Sequence, residues 1–153
     1  MKILISIRPK WCKLIADGKK TLEVRKTKPR CPLPFKAFIY ESKSTDKSRL
    51  TVYVDGNEPA CYYKGSGKVI GEFICDKIVD IGVPYPAYHQ ETDKNILKQS
   101  CMTYMELHQY AKEKTVYGYY ISNVVIYDEP RDLSDFYLKK APMSWQYVKE
   151  KQT

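Results

Sequence analysis

Within eight positions, Lys19, Lys20, Arg25 and Lys26 set four cations around a single carboxylate, Glu23. Residues two apart in an extended strand share a face, so Glu23 and Arg25 look the same way. With a strand starting near Thr21, the Lys20 side chain enters that face from its end. Such a cluster can hold a polyanion while the carboxylate accepts a hydrogen bond from a base amine or a sugar hydroxyl. Glu23 can also take up a proton, which makes Lys20 and Glu23 the candidate catalytic pair. The plainer alternative is a same-face surface ion pair, which contributes little on its own.

Further residues are candidates for the same cleft. Lys10 adds a cation from a short helix, and Tyr40 and Ser42 fall on a following strand. Trp145, beside Ser144, is either a platform on which a base stacks, at about 1–3 kcal/mol per base, or a core side chain closing the fold. Trp11 recurs with Leu14 and Ile15 at helical spacing and is assigned to the core. The fourteen tyrosines decide nothing by number, because several lie on strands where aromatic rings also pack well.

The charge of the whole chain sharpens this reading. Its formal net charge is +8. Residues 1–43 hold twelve Lys and Arg against three acidic residues, a surplus of nine, and the remainder has fourteen against fifteen, a deficit of one. A surplus confined to one segment marks a local electrostatic site whose partner is anionic: RNA, a nucleotide or an acidic protein surface. A hydrophobic fraction of 43% and a charged fraction of 29%, with nine Pro and seven Gly, exclude collagen-like, low-complexity and wholly disordered chains.

The five cysteines are odd in number and widely scattered, and the first residues lack the long apolar run of a signal peptide. A reducing cytoplasm is the expected compartment. There is no CxxC, and His89 and His108 lack partners at ligand spacing, so neither a metal nor a cofactor is expected. No apolar stretch approaches the roughly 18 residues of a membrane span.

The elements that must position these residues follow from periodicity. Lys2–Arg8 alternates as a strand, and Pro9 opens a helix to Ala16 with Gly18 as its left-handed cap. Thr21–Lys26 and Phe35–Ser42 are strands separated by the PRCPLP loop. Residues 44–67 hold a hairpin turning at Asp55-Gly56. Lys68–Ile81 reads as one long strand, bulged at Gly71. A helical turn is expected at Asn95–Lys98, and Thr103-x-x-Glu106 is a capping box for a helix to Lys112. Tyr117–Tyr127 is a strand, a helical turn lies around Asp135–Leu138, and Pro142–Val148 is a last short strand. With too few helices for parallel crossovers, the fold class is α+β and mostly antiparallel, a barrel of about six strands with two or three short helices.

The strings ILISIRPKWCKLIADGKKTLEVRK, PFKAFIYES, GKVIGEFICDKI, YYISNVVIYDEP and APMSWQYVKE resemble a small stand-alone ASCH domain of bacterial or phage type, within the PUA-like superfamily. The resemblance spans nearly the whole chain as a single domain over residues 1–150, with Ser44 to Gly67 reading as an insertion. It implies a PUA-like β-barrel and a basic cleft beside the first helix that receives RNA or a nucleoside. One ASCH branch hydrolyses N4-acetylcytidine with a Lys, a Thr three residues on and a later Glu. Lys20 matches the Lys, but Glu23 stands at the Thr position, and the later Glu has no counterpart. Another branch is linked to RNA cleavage, where Lys20 would polarise a phosphate and Glu23 would take a 2′-hydroxyl proton without a metal. Binding module, RNA- or nucleoside-directed hydrolase and protein-interaction module are therefore the three functional expectations.

Overall fold

A computed structural model describes residues 1–47, 62–84 and 94–152. Its central element is a five-stranded sheet in the order β10-β1-β3-β6-β9. These strands are β1 (Lys2–Ile7), β3 (Phe35–Glu41), β6 (Val69–Cys75), β9 (Ser122–Arg131) and β10 (Trp145–Tyr147). A second sheet runs β2-β8-β7, formed by β2 (Leu22–Arg25), β8 (Val116–Tyr120) and β7 (Ile78–Gly82). A short ribbon pairs β4 (Thr45–Lys47) with β5 (Tyr62–Lys64). Among the described residues the helices are α1 (Pro9–Ala16), α2 (Lys94–Ser100) and α3 (Tyr104–Ala111), and a 3-10 turn covers Leu133–Phe136.

The α+β, mostly antiparallel expectation holds, and the two larger sheets share a core without closing into one hydrogen-bonded barrel among the described residues. One pair departs from it: β1 and β3 run parallel, with Lys2 opposite Lys36 and Ile7 opposite Glu41. The α1–β2 segment supplies the crossover that a parallel pair needs. Residues alternate along β1, so Ile3, Ile5 and Ile7 pack with Cys12 and Ile15 of α1, Ala37 and Ile39 of β3, and Tyr119. Leu4 turns to the opposite face and packs with Phe38, Tyr40, Val69 and Phe136. The sheet is thus covered on both faces, the second by the C-terminal segment.

Two expected strands are each divided. The Lys68–Ile81 run breaks between β6 and β7, and the Tyr117–Tyr127 run breaks at Ile121 between β8 and β9. The physical reason is that the backbone changes partner there. Ile121 N–H donates to Thr21 O at 2.9 Å, Tyr120 N–H donates to Lys77 O at 3.0 Å, and Asn123 takes a left-handed φ of 49°. The bulge at Gly71 is present as a register shift in the β6–β9 pairing, where a Cβ would lie 2.3 Å from Val125 O. The Thr103–Glu106 capping box forms in full at the start of α3, and Gly18 has the expected positive φ of 73° after α1. The expected turn at Asn95–Lys98 grows into α2. The Asp55-Gly56 turn lies outside the described residues, and β4 pairs with β5 on either side of it.

Candidate nucleic-acid interface

Strand β2 pairs with β8 so that Glu23 lies opposite Tyr119 and Arg25 opposite Tyr117. The i, i+2 spacing then sends both charged side chains to one side, as expected. All four residues of β2 are buried, Glu23 at 5% and Arg25 at 8% exposure, and Lys20 just before the strand is at 3%. Burying charge is costly unless each ion is paired and hydrogen-bonded, and here the pairing is nearly complete. Arg25 Nε and Nη2 donate to Glu23 Oε1 at 3.0 and 2.9 Å, and Nη2 also donates to Ser6 O at 2.6 Å. Nη1 reaches Ser144 Oγ at 3.4 Å. Lys20 Nζ donates to Ser100 O at 2.7 Å, stands 3.4 Å from Glu23 Oε2, and lies 4.6 Å from the Trp11 ring centroid.

Glu23 Oε2 is buried and has the Lys20 ammonium as its ion-pair partner, but accepts no hydrogen bond from the described residues. Glu23 belongs to a recess of about 290 Å³ whose wall also includes Lys20, Arg25, Arg8, Trp11 and Tyr110. Ser6, Val24, Met102 and Met143 complete the lining. Cations, a carboxylate and aromatic and thioether surfaces are thereby gathered in one concavity, a combination suited to a flat polar ring carrying an anionic group.

The structure thus gathers Lys20, Glu23 and Arg25 in one recess, with Ser144 behind Arg25. Lys10 and Lys26 rest on the rings of two lining residues, at 4.7 Å from the Trp11 centroid and 5.0 Å from the Tyr110 centroid. Four others do not line it. Lys19 is exposed, and its carbonyl accepts from the Cys101 thiol. Tyr40 is buried in the cluster with Leu4, Phe38 and Phe136, because β3 is covered on both faces and the Tyr40 face lies under the C-terminal segment. Ser42 shares a hydrogen bond with Ser44 at 3.1 Å. Trp145, partly buried at the margin of the core, donates to Thr27 Oγ1 at 3.0 Å and packs edge-on against Tyr147.

Trp11 is corrected in the opposite sense. It touches the core from its margin and also walls the recess. Its place at the border of the helix stripe, next to Lys10, is the signal that could have shown this. Arg8, Tyr110, Met102 and Met143 carried no such signal. Arg8 Nε donates to Asp46 Oδ1 at 2.9 Å, and the other Asp46 oxygen accepts from Lys10 N–H at 3.3 Å in the first turn of α1. Among the described residues no group of three or more His, Cys, Asp or Glu side chains could hold a metal ion, and no helix is long and apolar enough to cross a membrane.

Burial holds the Lys20 ammonium below its ordinary value of 10.5, against the opposing pull of the Glu23 carboxylate. Between the lowered folded value and 10.5 the unfolded chain binds more protons, so stability attributable to Lys20 rises with pH. Denaturant melts of the wild type and Lys20→Met across the alkaline range should therefore show the wild type gaining on the variant as pH climbs towards 10.5. A difference that stays flat or shrinks would contradict this environment for the amine.

No protein-family model matches the sequence, and no curated protein matches it. Solved structures do. The crystal structure of ASCH from Zymomonas mobilis aligns with a TM-score of 0.65 at 17% identity, covering 97% of this chain and 87% of that one. A tyrosine-to-phenylalanine mutant of the Zymomonas mobilis protein aligns at 0.65 and 16% identity, covering 97% and 90%. A serine-to-alanine mutant aligns at 0.61 and 17%, covering 97% and 88%. At these identities the likeness is one of fold.

Proposed function

From the premise that this chain has the fold of ASCH-domain structures, we propose that it binds RNA or a nucleotide in the recess walled by Lys20, Glu23, Arg25 and Trp11. The observation that carries this reading is the buried Lys20–Glu23–Arg25 array lining one recess with Arg8 and Trp11, in which Glu23 Oε2 makes no hydrogen bond to the described residues. That oxygen has the Lys20 ammonium at 3.4 Å as its ion-pair partner, and a buried acceptor without a hydrogen bond costs about 1–3 kcal/mol. A base amine or sugar hydroxyl supplies the missing donor. Trp11 and Tyr110 add aromatic surface to the wall, and the surplus of cations in residues 1–43 attracts the phosphates.

Titration of labelled single-stranded RNA at several salt concentrations tests the reading. Affinity should fall linearly on logarithmic axes, with a slope of about 0.7 for each phosphate neutralised. The double charge reversal of Lys10 and Lys26 should weaken binding across sequences and flatten that slope. Binding that ignores salt, or an absence of RNA and nucleotide binding beside capture of an acidic protein, would overturn the proposal.

A second reading, RNA- or nucleoside-directed hydrolysis, draws on the same Lys20–Glu23 pair. Glu23 would serve as the base, and Lys20, whose ammonium stands 3.4 Å from Glu23 Oε2, as the cation that polarises the bond being broken. The bound RNA is then resolved by length. Products made by the wild type and lost in Glu23→Gln, with binding retained, support catalysis, and intact RNA throughout supports binding alone.

A further inference from the structure

Two of the recess cations are spent inside the protein. Arg25 is committed to Glu23, Ser6 and Ser144, and Lys20 to Ser100 and Glu23. Arg8 differs. Its side chain is 61% exposed, it lines the recess, and among the described residues its one partner is Asp46, met through Nε. A guanidinium is a planar fork of five donors. With Nε engaged, the outer edge made by the two terminal nitrogens remains, and that edge matches two oxygens of a phosphate.

The acid behind Arg8 is unusual in its own right. The Asp46 side chain is only 5% exposed, although the arginine it holds is largely solvated. Its second oxygen is fixed by Lys10 N–H on the first turn of α1, whose N-cap residue, Arg8, makes no side-chain cap of its own. Asp46 belongs to β4, so a ribbon residue 38 positions away holds a recess side chain in place. An exposed ion pair adds little stability. Restricting a rotamer-rich arginine before its ligand arrives removes part of the ordering cost of binding.

We propose that Arg8 is the phosphate-binding arm of the recess and that Asp46 is its positioning residue, so that the β4–β5 ribbon forms part of the site. The ligand class is a nucleotide whose phosphate meets the outer edge of Arg8 while its base lies against Trp11 and Glu23. This rests on the nucleotide reading above and adds to it which cation meets the phosphate and what orients that cation.

The test compares the four ribonucleosides with their 5′-monophosphates by calorimetric titration of the full chain. The wild type should prefer the monophosphate of its best base by about tenfold or more, the scale of a charge-assisted hydrogen bond. In Arg8→Ala that preference should fall to near one. In Asp46→Asn it should fall part of the way, and the double variant should match Arg8→Ala, because Asp46 acts only through Arg8. A preference that survives Arg8→Ala overturns the inference. So does an Asp46→Asn variant that loses affinity for nucleoside and monophosphate alike with the preference intact, since that is the mark of a general structural role. Should Asp46→Asn fail to fold, Arg8→Ala, a change at an exposed side chain, still decides the phosphate assignment. A wild type that binds both ligand classes without preference removes the role of Arg8 while leaving the recess reading in place. A wild type that binds RNA, nucleoside and monophosphate not at all removes both.

Discussion

Glu23→Ala should cost about 3–5 kcal/mol of folding stability, the range for breaking a buried ion pair from one side. The change strands Lys20 and Arg25 together, both nearly inaccessible to water and with their common counter-charge gone. Arg25 keeps Ser6 O and Ser144 Oγ, and Lys20 keeps Ser100 O, but none of these neutral acceptors offsets like-charge repulsion. Glu23→Gln, which retains an acceptor oxygen for Arg25, should lose less. Replacing all three residues with apolar side chains of similar volume should lose less than Glu23→Ala, because the desolvation cost of three ions disappears with them. Urea melts at constant pH order these variants. A Glu23→Ala protein within about 1 kcal/mol of wild type would mean that water reaches the array freely. The expected order carries a functional point: a cheaper apolar filling exists, so the ions are explained better by what they hold than by what they stabilise.

The second large effect lies on the opposite face of the central sheet. Phe136→Ala should destabilise the fold by about 3–5 kcal/mol. Phe136 is fully buried in the 3-10 turn, with its ring 4.7 Å from that of Phe38 and the Arg131 guanidinium 4.5 Å above it. Truncation leaves a cavity among Leu4, Phe38, Tyr40 and Val69 and removes the anchor of the C-terminal segment. The recess is lined by none of these residues. At a temperature where the variant remains folded, RNA affinity should therefore stay near the wild-type value while the melting temperature drops. Loss of affinity in step with stability would show that the two faces of the sheet are coupled.

The parts of this architecture that were legible in the sequence are those fixed by neighbours a few residues apart. The alternation of Ile3, Ile5 and Ile7, the Pro9 start and Gly18 end of α1, and the Thr103–Glu106 box each depend on a local rule. So does the shared face of Glu23 and Arg25, which was enough to find the centre of the recess. Periodicity is silent about which strand a backbone bonds to. The alternating pattern therefore ran straight through Asp76-Lys77 and through Ile121, where the chain leaves one sheet for the other. It is equally silent where both faces are buried, as on β3, so the parity that put Tyr40 on a definite side could not say which side held the recess. The Arg8–Asp46 pair joins residues that no local rule connects, and it emerges only once β4 is seated beside α1.

The position of β1 between β10 and β3 bears on how the chain finds this arrangement. Ile3 is opposite Tyr147 and Ile5 opposite Trp145, so one of the earliest strands in the chain has as its lateral neighbour one of the latest. Pairings this remote carry a high loop-closure cost and slow the search for the native topology. Until β10 arrives, one edge of β1 stands open, with Leu4 and the isoleucines on either side of it. During synthesis from the N-terminus that edge waits while the intervening chain is made, and an open apolar edge is the part of a nascent sheet most exposed to pairing with another molecule.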